Sequence, residues 1–389
     1  MEVLHIANKP AFPLRDGGCI AIKSMLKSLL SKKSFSVYHF TLSTHKHPFN
    51  CSDYPEGYRN RMELESFYLN TTTDLLGAVI HLIKNTSYNI SRFEDKKLRV
   101  RFQELITEKK FDMVVMESIY LLPYRSLFQK AGIKVVVRAH NVEHKIWEEL
   151  SESSQNPLKK WYFNTLSKQL KKFEFTELSK SDAILAITEE DNAYFKEHFP
   201  SISSVVIPTS LKFEEVKQDY SLNSFYFLGA MDWLPNKEGI TWLLEEVITN
   251  KELESKVHLA GKSMDVSQFE KQSVICHGEI KHAKDFINTH GICLIPLLSG
   301  SGLKIKLLEN MALGKPIITT SEGARGVSVE NGEHVLIADT PKDFQDAMSL
   351  LASDQVLRKK LGESAQAYVK EHFSEQKITN KLLEFLSKV

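Results

Sequence analysis

Leu294 to Thr320, LIPLLSGSGLKIKLLENMALGKPIITT, decides the reading of this chain. The apolar run Ile292–Leu297 reads as a strand, and Gly300 and Gly302 flank Ser301 where the run stops. A helix is predicted from about Leu303 to Leu313. Gly314 stands where a helix-terminating glycine belongs, and Pro316 bars continuation. The β-branched Ile317–Thr320 is the next strand. The unit is therefore βαβ, with its glycines at the carboxyl end of a strand, where open parallel sheets bind ligands. Glycine lets a phosphate approach backbone N–H groups, and a helix N-terminus favours an anion. Lys304 and Lys306 fall in the first turn, where each opposes the helix dipole by about 0.3–1 kcal/mol unless an anion offsets it. Glu309 follows, either as a ligand group or as an i+3 partner of Lys306. No Gly-Lys-Ser/Thr closes the loop, so it is not a Walker P-loop. The third glycine of a dinucleotide fingerprint is also missing.

Outward from this stretch, 389 residues suffice for two cores. A hydrophobic content of 42% and a charged content of 25% are those of a globular protein. A net charge of +1 gives no polycation for nucleic acid. Cys19, Cys51, Cys276 and Cys293 form no CxxC pair, which disfavours a zinc site or disulfide framework and suits a reducing compartment. No His/Cys cluster shows metal-ligand spacing in sequence, so no metal is expected. MEVLHIANKP reads as a first strand rather than a signal peptide. No apolar run approaches the ~18–20 residues of a spanning helix.

Strands are predicted at Val3–Ala7, Ser36–Leu42, Asp112–Glu117, Lys134–Ala139, Ala183–Thr188 and Val205–Pro208, alternating with helices. The loop after the first strand ends Asp16-Gly17-Gly18 and leads into a helix over Cys19–Leu30. Met62–Phe93 resists assignment, apart from an amphipathic helix at Asp74–Lys84. That helix either packs on the sheet, the commoner behaviour and the expectation here, or lies on a membrane interface. Helices are predicted at Leu98–Thr107, Tyr120–Ala131 and Trp161–Lys180. His140 and Glu143 directly follow a buried strand, a place where catalytic groups collect. After a polar linker at Pro208–Asn223 the pattern restarts with Phe225–Leu228, ending at Gly229, and a helix at Ile240–Ile248. The expected architecture is α/β: two Rossmann-like, doubly wound parallel-sheet domains facing across a cleft. Their bounds are 1–207, completed by a terminal helix at about 376–389, and 208–375.

Four segments carry a family resemblance: PLLSGSGLKIKLLENMALGKPIITTSEGARGV, FLGAMDWLPNKEG, VVVRAHNVEHKIW and RDGG. Together they resemble the family 4 glycosyltransferases (glycosyl transferases group 1) with the GT-B architecture, over essentially the whole chain. The resemblance implies a C-terminal donor domain and an N-terminal acceptor domain. By it, Glu309 receives the ribose hydroxyls of a nucleotide. Gly300, Ser301, Gly302 and Leu303 contact the donor sugar and diphosphate, as does Gly229 at the first donor-domain strand. Lys304 and Lys306 neutralise the leaving diphosphate, and Lys237 is a further candidate. His140 lies near the transferred sugar, and Asp16, Gly17 and Gly18 form an acceptor-side loop. Two departures matter. The family often has a second glutamate eight residues before Glu309, where this chain has Ser301, so the donor sugar is not readable. It often has an arginine in the loop Ala230–Lys237, which this chain lacks.

The implied activity is a hexosyltransferase-type transfer from a nucleotide diphosphate sugar to a glycan or lipid-linked glycan in polysaccharide biosynthesis. It is retaining, with no cofactor and no essential metal. The leaving phosphate itself takes the acceptor proton, leaving His140 to position the sugar; in an inverting enzyme Asp16 or His140 would be the base. A nucleotide-sugar epimerase or an inactive nucleotide-sugar-binding subunit of the same fold are the alternatives. The expected location is cytoplasmic, at the inner face of the cell membrane, with peripheral contact to anionic lipid through Asp74–Lys84 and the lysines of Trp161–Lys180.

Overall fold

The computed structural model describes residues 1–211, 213, 218–248, 255–269, 273–300 and 302–389. Ser301 lies outside the described residues, as does part of the linker expected at Pro208–Asn223.

The chain divides into two compact units, Met1–Ser210 with Glu375–Val389, and Leu211–Ser374. The first holds a seven-stranded sheet in the order β3-β2-β1-β4-β5-β6-β7. Its strands are β1 (Glu2–Ala7), β2 (Ser36–Ser43), β3 (Glu63–Tyr68), β4 (Met113–Glu117), β5 (Lys134–Ala139), β6 (Ala183–Ala186) and β7 (Ser203–Val206). All neighbours pair parallel. The second holds six parallel strands in the order β10-β9-β8-β11-β12-β13. These are β8 (Phe225–Leu228), β9 (Val257–Ala260), β10 (Val274–Cys276), β11 (Ile292–Ile295), β12 (Ile317–Thr319) and β13 (Leu336–Ile337). Both sheets are covered on both faces, which is why the central strands read as apolar runs. The terminal helix Glu375–Leu386 buries Ile378, Leu382 and Leu386 against Ile22, Met25, Leu26 and Leu29 of the helix Gly17–Ser31.

Several local expectations change. β3 lies in the stretch left unassigned. It is an edge strand with a half-buried ELESFY pattern, so it lacks an apolar run. Tyr120–Ala131 is a 3-10 segment at Ile119–Tyr124 followed by a helix at Arg125–Lys130, the break falling where Pro123 removes a donor. The helix Glu143–Ser153 was not foreseen. Neither was the turn structure at Cys51–Asp53 and Glu56–Arg59. The amphipathic helix, Leu75–Ile83, buries Ala78 but leaves four large apolar side chains exposed, against the expectation that it packs on the sheet. Leu76 and Ile83 are 76% and 80% exposed, and Val79 and Ile80 are exposed beside them. Its terminus is capped by Asp74, which accepts from the N–H groups of Leu76 and Gly77.

Candidate functional site

In the C-terminal unit, β11 runs into the glycine loop, and a helix follows over Ile305–Ala312. Gly300 and Gly302 adopt φ of +115° and +75°, which L side chains resist. Lys304 is the N-cap residue, not a first-turn one, because the helix starts at Ile305. Its buried ammonium donates to the carbonyl oxygens of Gly300 and Gly302 and meets Glu322 at 3.3 Å. Lys304 therefore ties the glycine loop to the helix and to the next βα turn, the geometry separating it from Lys306.

Lys306 donates to Asn236 Oδ1 and lies over the rings of Phe227 and Trp233, at 4.8 and 5.5 Å. Burial, with the charge of Lys304 adding to it, lowers its pKa to about 8. Asn236 is itself fixed by a 2.7 Å bond to the Ala230 carbonyl. Gly229 ends β8 against this pair. A Cβ there would stand 2.8 Å from Asn236 Nδ2 and 3.1 Å from Lys306 Nζ. Glu309 makes no ion pair with Lys306. Its side chain reaches solvent one turn along, and surrounding protein raises its pKa by desolvation. Leu303 is half-buried beside Gly302. Lys237 is exposed on the helix Leu234–Trp242, which begins inside the segment read as loop. The structure thus gathers Gly229, Lys306 and the unforeseen Asn236 into one cluster, with Gly300, Gly302 and Lys304 forming the adjoining loop.

In the N-terminal unit, Asp16 caps the helix Gly17–Ser31 by accepting from Cys19 N–H at 2.9 Å. Lys9 Nζ donates to both its oxygens at 2.7 and 2.8 Å. Burial opposes ionisation, but Lys9 and the cap bonds outweigh it and hold the carboxyl at about 2. So ionised a carboxylate is a poor proton acceptor at neutral pH, and Asp16 ties the loop to the helix through Lys9 and Cys19. A Cβ at Gly18 would meet Lys9 Nζ at 2.5 Å, so that glycine leaves room for the pair. Beside it a shallow depression, open to solvent, is lined by residues that include Pro10, Phe12, Arg15, Cys19 and His47.

His140 follows β5, and its Nε2 meets Glu117 Oε2 at 2.7 Å. Glu117, at the end of β4, is fully buried and also contacts Arg138 Nη1 at 3.2 Å and His5 Nε2 at 3.0 Å. His5 reaches His39 ring to ring at 2.9 Å, and His39 reaches Tyr54 OH at 3.2 Å. In-register pairing puts His39, His5, Glu117 and Arg138 on one face of the sheet. Arg138 also donates to the carbonyl of Ala21 at 2.8 Å. Burial pushes the Glu117 carboxyl up, yet Arg138 and the bonds from His140 and His5 hold it well below the usual range. A fixed carboxylate behind a half-exposed histidine sets the ring's orientation. Glu117 and Arg138 were passed over because each sits in a strand that reads as apolar. The sole sequence signal was a charged residue at the carboxyl end of each run.

Glu143 faces a different group. Tyr120 OH donates to it at 2.9 Å, and burial beside Glu174 raises its pKa to about 7. Glu174, on the long helix Pro157–Leu178, accepts from the N–H groups of Glu143 and His144 at 3.0 and 2.9 Å.

Residues 223–354 match the family described as glycosyl transferases group 1. An uncharacterised 44.6 kDa protein in the cps region of Klebsiella pneumoniae is 22% identical over 304 residues, covering 74% of this chain and 77% of that protein. Among solved structures, sucrose-phosphate synthase from Thermosynechococcus elongatus superposes with a TM-score of 0.73 at 13% identity, covering 100% of this chain and 99% of that one. Anabaena HepE in complex with UDP gives a TM-score of 0.66 at 12% identity, covering 100% of both chains. The two parallel sheets and the likeness to these structures show the two-domain GT-B fold, and the part of the chain that carries the glycine loop after β11, residues 223–354, is similar to the glycosyl transferases group 1.

Proposed function

We propose that the chain transfers a sugar from a nucleoside diphosphate sugar to a glycan or lipid-linked glycan, with retention at the anomeric carbon and no metal at the diphosphate. The donor binds the C-terminal unit. Glu309 accepts from the ribose hydroxyls, and the glycine-loop N–H groups with Lys306 hold the diphosphate. As the bond from the anomeric carbon to the phosphate oxygen breaks, negative charge collects on the leaving diphosphate, where Lys306 stabilises it. The acceptor oxygen bonds to the anomeric carbon on the same face, and its proton passes to the departing phosphate. His140, held by Glu117, positions the sugar, and the Asp16–Gly18 loop lies on the acceptor side. The observation that carries the reading is Lys306, held by Asn236 beside Gly229 at the start of the glycine-loop helix. The UDP in the HepE complex and the cps-region name of the Klebsiella relative accord with it.

We further propose that the N-terminal unit docks on anionic lipid at the inner membrane face. Leu76, Val79, Ile80 and Ile83 form an exposed apolar strip, and the neighbouring long helix exposes Leu158 and Trp161 as well as Lys168, Lys171 and Lys172. No described helix is long and apolar enough to cross a membrane.

A panel of nucleoside diphosphates in thermal melting tests the donor site, since stabilisation follows RT ln(1 + [L]/Kd). Glu309→Ala is expected to weaken the best nucleotide about 10- to 100-fold, the loss of hydrogen bonds to a charged group. Unchanged affinity and turnover in this variant would remove Glu309 from the site.

A further inference from the structure

The geometry points to a transition-metal site of three histidines in the C-terminal unit, remote from the glycine loop, that takes Zn²⁺. His258 lies on β9, His277 directly follows β10, and His290 precedes β11. One ligand nitrogen from each lies within 4.8 Å of the other two. His258 Nδ1 and His277 Nε2 already face each other at 2.9 Å. Two nitrogens bound to one tetrahedral zinc at ~2.0–2.1 Å stand about 3.3 Å apart, so a few tenths of an ångström of opening seats the ion. His290 packs on His258 with ring centroids 4.1 Å apart.

The ring orientation of His290 supports the assignment. Its Nδ1 contacts the Phe286 carbonyl at 2.6 Å, which makes Nδ1 the protonated nitrogen and leaves Nε2 with its lone pair. Metal-bound imidazoles show this arrangement, the second ring nitrogen donating to a carbonyl. The Lys315 ammonium holds the His290 carbonyl at 2.8 Å and fixes the loop that carries the ring. The ligand set is three neutral imidazoles with no carboxylate, which selects Zn²⁺ and its neighbours over Mg²⁺ or Ca²⁺. His290 is buried and His277 exposed, so the fourth position is left to solvent.

The position argues for a structural role. The cluster spans β9, the edge strand β10 and the segment entering β11 at its amino end, whereas the glycine loop leaves β11 at its carboxyl end. A bound ion clamps the sheet edge to the chain leading into the strand that carries the donor loop. It supplies nothing to the transfer chemistry.

The test uses the full chain without a histidine tag, stripped with a chelator and titrated with Zn²⁺ alone by calorimetry. One Zn²⁺ per chain is expected, with a rise in melting temperature; Co²⁺ in its place should give the visible bands of a tetrahedral site. His277→Ala, at an exposed position, is expected to leave metal-free melting unchanged and to weaken Zn²⁺ at least tenfold. His258→Gln is expected to do the same. Absence of Zn²⁺ uptake by the wild type would overturn the site in favour of a hydrogen-bonded histidine pair. Equal uptake by wild type and both variants would place the metal elsewhere on the chain.

Discussion

Glu117 shows how much one buried carboxylate can organise. It receives Arg138, His5 and His140, all within 3.4 Å, and is itself fully buried. Removing one partner of a buried ion pair strands the other charge, so Glu117→Ala should cost about 3–5 kcal/mol in chemical denaturation. The sign of the pH effect follows from the depressed carboxyl. Its contribution is complete above the unfolded value of about 4.3 and drains away as pH falls toward the lower folded value. Acid melts of wild type and Glu117→Gln should therefore begin to converge only as pH falls below about 4, and meet below the folded value. Because the proposed function has Glu117 act through His140, its conservative variant should also shift the pH profile of transfer, which a purely structural residue would not do. Lys306 makes the opposite case, a cation made less stable by burial. With its pKa at about 8, it carries at neutral pH the charge that the proposed diphosphate contact needs. Nucleoside diphosphate affinity should fall as pH rises above 8, by at most about tenfold per unit. Lys306→Arg should flatten that dependence, since arginine stays protonated. A pH-independent wild-type Kd between 7 and 10 would argue against a Lys306–diphosphate contact.

At the scale of elements, the N-termini of two helices differ in how they are satisfied. Asp16 caps its own helix. The helix Glu143–Ser153 begins after Val142, which has no side-chain acceptor. Its first N–H groups are taken by Glu174 from another helix, which also binds His144 Nδ1 at 2.5 Å. Glu174→Ala leaves buried donors unpaired and should destabilise by about 1–3 kcal/mol. A compensating Val142→Ser, which restores a local cap, should recover part of that loss. No recovery would mean that the Glu174–His144 contact carries the effect. The segment is unusual for a second reason: Glu143 in its first turn is held near neutrality by burial and by Glu174, at about 7.

At the scale of the whole molecule, the membrane proposal rests on a helix that leaves Leu76, Val79, Ile80 and Ile83 exposed. Leu158 and Trp161, on the neighbouring long helix, are 77% and 62% exposed. The two helices touch through a 3.5 Å contact from Gln169 to the His81 carbonyl. Co-sedimentation with vesicles containing phosphatidylserine should be lost in Leu76→Asp/Ile83→Asp. It should weaken with salt and with charge reversal at Lys168, Lys171 and Lys172. Retention by the wild type on neutral vesicles alone, or no loss in either variant, would remove anionic lipid as the partner.

The sequence by itself determined the α/β class, most of the strand order along the chain and the βαβ unit with its glycines at a strand's carboxyl end. Those features are local: a buried parallel strand is a run of apolar residues, and a turn at positive φ favours glycine. Edge strand β3 was not legible because a half-covered strand carries no such run. The partners of the site residues were equally hidden. Lys304 and Lys306 are two positions apart, yet one turns to the loop carbonyls and the other to Asn236. Glu117 meets His140, and His258 meets His277 and His290, only once separate strands have been brought side by side. Residue types and spacings are written along the chain. Which side chains share a proton, an ion pair or a metal depends on strand register and burial, and tertiary structure alone decides those.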